Sequence, residues 1–318
     1  MFDKFAVKAT TQFPGKRMNC SGESQDGNSA PSDAERLARR LEKEAGYRVL
    51  RELPVDQGVD RLELPHSDLR IGVSLDVETT GLSPQHDRIV ELAIKRFTFD
   101  SSGKIHSVER ERSWQEDPGG PMPPRVSRLT GLTDAQLRGR QFDDDAIAEF
   151  LGRCELVIAH NAKFDRPFFE SRFPNLRNLA WACSLTQLDW LDLGFDGRAL
   201  GHLLFQSGWY FAGHRAAGDV CALTKLLGQQ ALDGRSVLSH LLAVCDRVTF
   251  RLDAVGAPFE SKDLLKNRAY QWSVEERFWW REIDEDALVQ EKQWLESNVY
   301  FGRGSPKVQE IRPNNRFR

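Results

Sequence analysis

Asp76 and Glu78 stand two residues apart in the run LRIGVSLDVE, and on an extended strand that spacing projects both carboxylates from one face. Two like charges held that close repel. A hard divalent cation with oxygen ligands is their natural counterpart, and a merely solvated pair at a strand end is the alternative. Thr79-Thr80-Gly81-Leu82 comes next as a tight turn, where small residues let a ligand approach the backbone. Farther along, HNAKFDRPFF puts Asp165 just beyond an apolar run, in the first turn of a helix. His214 precedes Asp219 by five positions in HRAAGDV, with Asp219 at the start of another helix. Four carboxylates and one imidazole, each at the end of an element, can converge on one place. Two-metal hydrolysis needs that composition.

At these blocks the chain resembles the DEDDh 3′→5′ exonucleases of the ribonuclease H-like superfamily, which include the proofreading epsilon subunit of bacterial DNA polymerase III. The resemblance is carried by DVETTGL at 76–82, HNAKFDRPFF at 160–169 and HRAAGD at 214–219. RLTGLTDAQL at 128–137 is similar to the family's intervening loop and helix, and the likeness covers residues 69–230. His214 five before Asp219, with Arg215 rather than Tyr four before it, is similar to the histidine branch of the family.

The resemblance implies an enzyme that hydrolyses phosphodiester bonds at DNA 3′ ends and releases nucleoside monophosphates. A 3′→5′ exoribonuclease or oligonucleotidase is one alternative. A non-catalytic nucleic-acid-binding or polymerase-associated subunit on the same fold is another. It further implies two Mg²⁺ or Mn²⁺ ions, with Asp76, Glu78 and Asp219 as direct ligands, Asp76 bridging both, and Asp165 holding the second ion partly through water. His214 is then the base that takes a proton from the attacking water, a task that suits an imidazole whose unperturbed pKa of about 6.5 leaves it mostly neutral. By the same resemblance, backbone around Thr79 meets the terminal nucleotide and Leu82 wedges against its base. His160, Asn161 and Phe164 line the same groove. A core role is favoured for Phe164, His160 stays open between structural and substrate-facing, and His202 on an apolar helix is read as structural. The implied partners are nucleic acid 3′ ends, with single-stranded DNA favoured over RNA, and a polymerase or repair complex.

Residues 68–230 must supply the frame that positions this chemistry. LRIGVSLDVE reads as a strand, and RIVELAIKRFTFD (88–100), a Ser-Ser-Gly turn and KIHSVERERSW (104–114) read as a hairpin. Thr133-Asp134-Ala135-Gln136 has capping spacing, and Ile147, Phe150 and Leu151 mark a helix. A buried strand at 155–161, a helix from near Phe164, a short strand near LAWACS and two further helices complete the block. The expected fold is α/β: a ribonuclease H-like mixed five-stranded sheet flanked by helices, with an N-terminal helical extension and a small α+β C-terminal module. In the divisions this gives, residues 1–31 are a disordered leader, with Met18 as an alternative start, and 32–67 are a capped helix and connector. Residues 68–230 are the exonuclease domain, and 231–318 an aromatic-rich module with a basic tail.

Composition sets outer bounds. The 318 residues are 40% hydrophobic and contain no run of apolar residues long enough to span a bilayer, so no membrane partner is expected. The first twenty residues lack a secretory signal, and five scattered cysteines without metal spacing fit a reducing cytoplasm. The net charge of −3 falls entirely within residues 68–230, because the flanks carry equal numbers of each sign. Without the four candidate ligands that block is +1, compatible with a phosphate-bearing substrate. Four of the eight tryptophans (Trp272, Trp279, Trp280, Trp294) cluster in the C-terminal module. With Lys266, Arg268, Arg277 and Arg281 they form either a stacking platform for single strands or the core of a small β-α-β-β-α unit. The basic last sixteen residues read as a solvated tail or a phosphate contact. Gln187-Leu188-Asp189-Trp190-Leu191, vaguely like a sliding-clamp peptide, is expected to pack inside the fold.

Overall fold

The computed structural model describes residues 32–55, 57–62 and 68–318; the stretch expected to be a disordered leader lies outside the described residues. The described residues fall into two compact units, divided between Val49 and Leu50. In the first, α1 (Asp33–Leu41) begins as its capping spacing predicts, with the Ser32 hydroxyl accepting the Glu35 N–H at 3.2 Å. Among the described residues no helix is long and apolar enough to cross a membrane.

The second unit runs β1 (Arg51–Glu52), β2 (Arg70–Thr79), β3 (Ile89–Phe99), β4 (Ile105–Val108), β5 (Arg112–Gln115), α2 (Pro124–Thr130), α3 (Asp134–Leu137) and α4 (Asp144–Leu151). It continues with β6 (Leu156–Ala159), α5 (Ala162–Arg172), β7 (Trp181–Cys183), α6 (Leu200–Gln206), β8 (Trp209–Tyr210) and α7 (Ala216–Leu227). Last come α8 (Val237–Cys245), β9 (Thr249–Ala254), α9 (Lys262–Asn267), β10 (Gln271–Ser273), β11 (Phe278–Asp284), α10 (Glu285–Asn298) and β12 (Lys307–Ile311).

The central sheet is mixed, in the order β4-β3-β2-β6-β7, with β5 also paired to β3. Strands β2 to β5 are antiparallel, and β6 and β7 add in parallel to β2. The expected five positions are thus filled by six strands, because the strand expected at 104–114 breaks in two. At the break the backbone turns to Val59, which donates to Val108 O and accepts from Arg110 N–H, both at 2.9 Å. Fully buried Glu109 is meanwhile drawn to Arg96.

Apolar clusters cover both faces of this sheet. Phe97, Phe99, Ile158, Leu203, Leu226 and Leu238 pack on one side, and Val73, Leu75, Leu92, Ile147, Phe169 and Trp181 on the other. A strand at the centre of such a sheet is buried on both faces, so β2 reads as a nearly continuous apolar run. Its only incompletely buried residues are Arg70 at the start and Asp76 and Glu78 near the end. There the register with β3 shifts between Glu78 and Thr79, and the chain leaves the ladder. The carboxylates therefore sit at the mouth of the sheet.

The C-terminal strands form a second, antiparallel sheet in the order β10-β11-β9-β12. Helices α9 and α10 close one face of it through Leu265 and Leu295, against Leu252, Ala254 and Ile283. Two basic residues considered for a platform lie on this covered side, where Arg268 and Arg281 both pair with buried Glu291.

Residues 313–318 are packed against the fold and are not a solvated tail, while Arg303 and Lys307 before them stay exposed. Part of the basic stretch is β12, and residues 313–318 beyond it are docked on α5. Arg166 is fully buried, and its guanidinium donates to Pro313 O at 3.0 Å and to Arg316 O at 2.7 Å. Arg318 pairs with Glu170 at 2.9 Å. A buried guanidinium must find acceptors, and the backbone carbonyls of the tail supply them.

Candidate active site

Three elements bring the four predicted acids to the mouth of the sheet. Period-two alternation puts Asp76 and Glu78 on one face of β2. The first turn of α7 carries Asp219, whose carboxylate accepts the Arg215 N–H at 3.2 Å. One oxygen from each of Asp76, Glu78 and Asp219 lies within 4.8 Å of the others. Asp165, in the first turn of α5, stands behind this group. It is 3% exposed and accepts the Val77 N–H at 3.3 Å, which fixes it against the backbone between the two β2 acids.

The electrostatics are those of crowded anions. Burial, then the charges of Asp165, Asp219 and Glu78, push the Asp76 carboxyl well above the usual range. Glu78 is raised to about 8 by burial and by Asp219 and Glu91. Burial lifts Asp165 to about 7 against the bond from Val77, and Asp219 to about 6 against the charge of His214. The donor set is all carboxylate oxygen, hard and in excess of nearby positive charge. A hard divalent cation fits it, and the repulsion falls when one enters.

His214 is exposed on the loop before α7, with its backbone in the left-handed region at φ 65°. Such a placement persists only where the surroundings hold it. Here the next residue is the anchor. Arg215 donates to Glu91 at 2.9 and 3.2 Å, and the same carboxylate accepts the Ala216 N–H at 3.1 Å and the Gln115 amide at 3.0 Å. Glu91 is fully buried on β3, directly opposite Glu78. Burial pushes its carboxyl up, yet the bonds from Arg215 and Gln115 outweigh it and hold the pKa below the ordinary value. Glu91 is thus a strut for the start of α7, its oxygens already engaged. The sequence reading missed it, although a Glu inside the apolar run RIVELAI was the available signal.

The residues predicted to meet substrate separate into two groups. Leu82 is 85% exposed on the turn leaving β2, and Asn161 is exposed ahead of α5 with φ 133°. Thr79 is buried, and its hydroxyl donates to Gly81 O at 2.5 Å. Gly81 is needed there, since a Cβ would run into the Asp87 carboxylate that ties the turn to Thr80 and Ser83. Phe164 packs on Phe168, ring centroids 5.0 Å apart, at the edge of the core. Both ring nitrogens of His160 are engaged: Nε2 donates to Arg198 O at 2.9 Å, and Nδ1 accepts from the Ser184 hydroxyl at 2.8 Å. Burial lowers its pKa to about 4, so the ring is a neutral brace between β6 and the 198 loop. His202 is exposed, its ring stacked 6.3 Å from that of Phe205. Trp190 is buried and donates to Ser184 O at 2.9 Å, the packing role expected for that segment.

Residues 73–227 match the RNase_T family, described as exonuclease. The chain is similar to the PolC-type DNA polymerase III of Thermotoga petrophila, 33% identical over 112 residues, which are 34% of this chain and 8% of that protein. The Streptococcus mutans PolC-type polymerase is 28% identical over 141 residues, 41% of this chain and 9% of the relative. The alignments thus span less than a tenth of either relative. Among solved structures, exonuclease X in complex with 5′-overhanging duplex DNA aligns at 23% identity and a TM-score of 0.36, over 53% of this chain and 99% of that one. The acids thus gather inside the stretch, just under half of the chain, that is similar to this exonuclease family.

Proposed function

We propose that this domain removes nucleotides one at a time from the 3′ end of single-stranded or frayed DNA, releasing nucleoside monophosphates. The observation that carries the reading is the convergence of Asp76, Glu78 and Asp219 within 4.8 Å, with Asp165 buried behind them. Asp76, Glu78 and Asp219 would hold two Mg²⁺ or Mn²⁺ ions, with Asp165 supporting the second through water. Bound there, the cations would neutralise the carboxylates, polarise the scissile phosphate and stabilise the leaving 3′ oxygen. His214 takes the proton of the water that attacks phosphorus in line as the bond to the 3′ oxygen breaks. Arg215, held by Glu91, keeps the His214 loop against the first turn of α7. Exposed Leu82, at the rim of the mouth, meets the terminal base, and the turn held by Asp87 presents the backbone at Thr79 to the terminal nucleotide.

Matched DNA and RNA oligomers labelled at either end, incubated with the protein in Mg²⁺, test this. The 3′ label is expected to leave first, as a mononucleotide, with the 5′ label released last and DNA cut faster than RNA. Early release of the 5′ label, or internal fragments before mononucleotides, would overturn the assigned polarity. Faster RNA cleavage would move the substrate to RNA.

A further inference from the structure

The C-terminal module has the chain order β9-α9-β10-β11-α10-β12 and the sheet order β10-β11-β9-β12, with every neighbouring pair antiparallel. This is the split βαββαβ arrangement, on which RNA-recognition sheets that stack single-stranded bases are built. Helices α9 and α10 cover only one face. Alternation along β11 sends Trp279 and Ile283 to that face and leaves Phe278 and Trp280, two residues apart on a central strand, on the other. Both residues are half-buried. Arg251, on the adjacent central strand, lies over them, its guanidinium 4.9 Å from the Trp280 ring centre and 5.8 Å from that of Phe278.

This face abuts the helix that carries Asp165. The ammonium of Lys163 lies 5.7 Å from the Trp280 ring centre, and Lys163 sits in the same first turn of α5 as Asp165. Lys163 is exposed and has no ion pair among the described residues. Of the carboxylates on this face, Asp253 and Glu276 pair with Arg251, and Glu282 lies 3.6 Å from Arg316. Aromatic rings aligned on a pleated strand, with a free cation leading to the catalytic helix, match bases joined by phosphates.

We propose that Phe278 and Trp280 stack successive bases of a single nucleic acid strand and lead its 3′ end past Lys163 into the carboxylate site. The grip is by stacking on the two rings. The inference rests on the proposed exonuclease activity for its direction, and its test reads binding separately from hydrolysis.

Fluorescein-labelled single-stranded dT and U oligomers, titrated with the full chain in EDTA, measure the binding, while a nitrophenyl ester of thymidine 5′-monophosphate in Mg²⁺ measures the chemistry. Phe278→Ala and Trp280→Ala are each expected to weaken oligomer binding about tenfold and to leave ester turnover unchanged. Trp280→Leu keeps the apolar bulk without the aromatic face, so it should bind as poorly as Trp280→Ala. Parent-like oligomer affinity in both alanine variants, or in the leucine variant, would overturn the stacking role. Loss of oligomer binding in a protein inert towards the ester would instead sink the exonuclease activity and leave the stacking face standing. A dT or a U preference names the strand, and aromatic-dependent binding of either supports the proposal.

Discussion

Asp76→Asn is expected to abolish phosphodiester hydrolysis and, at the same time, to raise the melting temperature of the metal-free protein near pH 8. The carboxylate sits among Asp165, Asp219 and Glu78, which with burial drive its pKa far up. A neutral amide of the same shape removes that repulsion together with the cation site, so function and stability move in opposite directions. The pH dependence arises from Glu78, whose carboxyl rises from an ordinary 4.5 to about 8 in the fold. The folded protein then binds a proton that the unfolded chain has released. The associated stability is fully present below about 4.5 and is lost as pH climbs through about 8. Melting curves in EDTA should therefore fall across that window by about 2–4 °C for each kcal/mol lost. The fall should be shallower in Asp76→Asn and should disappear in Mg²⁺. A flat profile in the parent, or a variant that melts earlier than the parent at pH 8, would contradict the crowded-anion account.

Glu91→Ala should be the most damaging single change outside the predicted ligands. It strips the partner from Arg215, leaves the Ala216 N–H at the start of α7 without its acceptor, and opens a hole on a fully buried strand position. Breaking a buried pair by removing one member costs about 3–5 kcal/mol, and the partly exposed Arg215 side chain places this case near the lower end. Because the anchored segment runs from His214 to Asp219, hydrolysis should fall more than tenfold even where the variant is still folded, an effect on the order of one misplaced catalytic group. Glu91→Gln keeps an acceptor for Ala216 and should recover part of the stability. A double-mutant cycle with Arg215→Ala separates the pair from the cavity. Additive losses in that cycle would show that the two side chains do not act together.

The parts of this site that could be read from sequence are those set by local periodicity. Asp76 and Glu78 declare themselves through strand alternation, and Asp165 and Asp219 through their places in first helical turns, so their convergence could be inferred from element ends alone. Glu91 could not, because its meaning lies in Arg215, 124 residues away, and a single Glu in an apolar strand looks the same whether it faces solvent or a guanidinium brought from another element. The strand expected at 104–114 looked continuous because the pairing with Val59 that breaks it comes from a distant connector. Arg166 has the pattern of a surface residue on α5, and only the fold reveals the tail carbonyls that bury it. The aromatic cluster announced a small module. Its division into a helix-covered face holding Trp279 and an opposite face holding Phe278 and Trp280 required the register of β11 against β9.

Anomalous diffraction from crystals soaked in Mn²⁺ bears most directly on the acidic centre. The account predicts manganese peaks bounded by the carboxylates of Asp76, Glu78 and Asp219, and their loss in Asp76→Asn. Empty density between those oxygens, in crystals of a protein that still cleaves DNA ends in Mn²⁺, would contradict it.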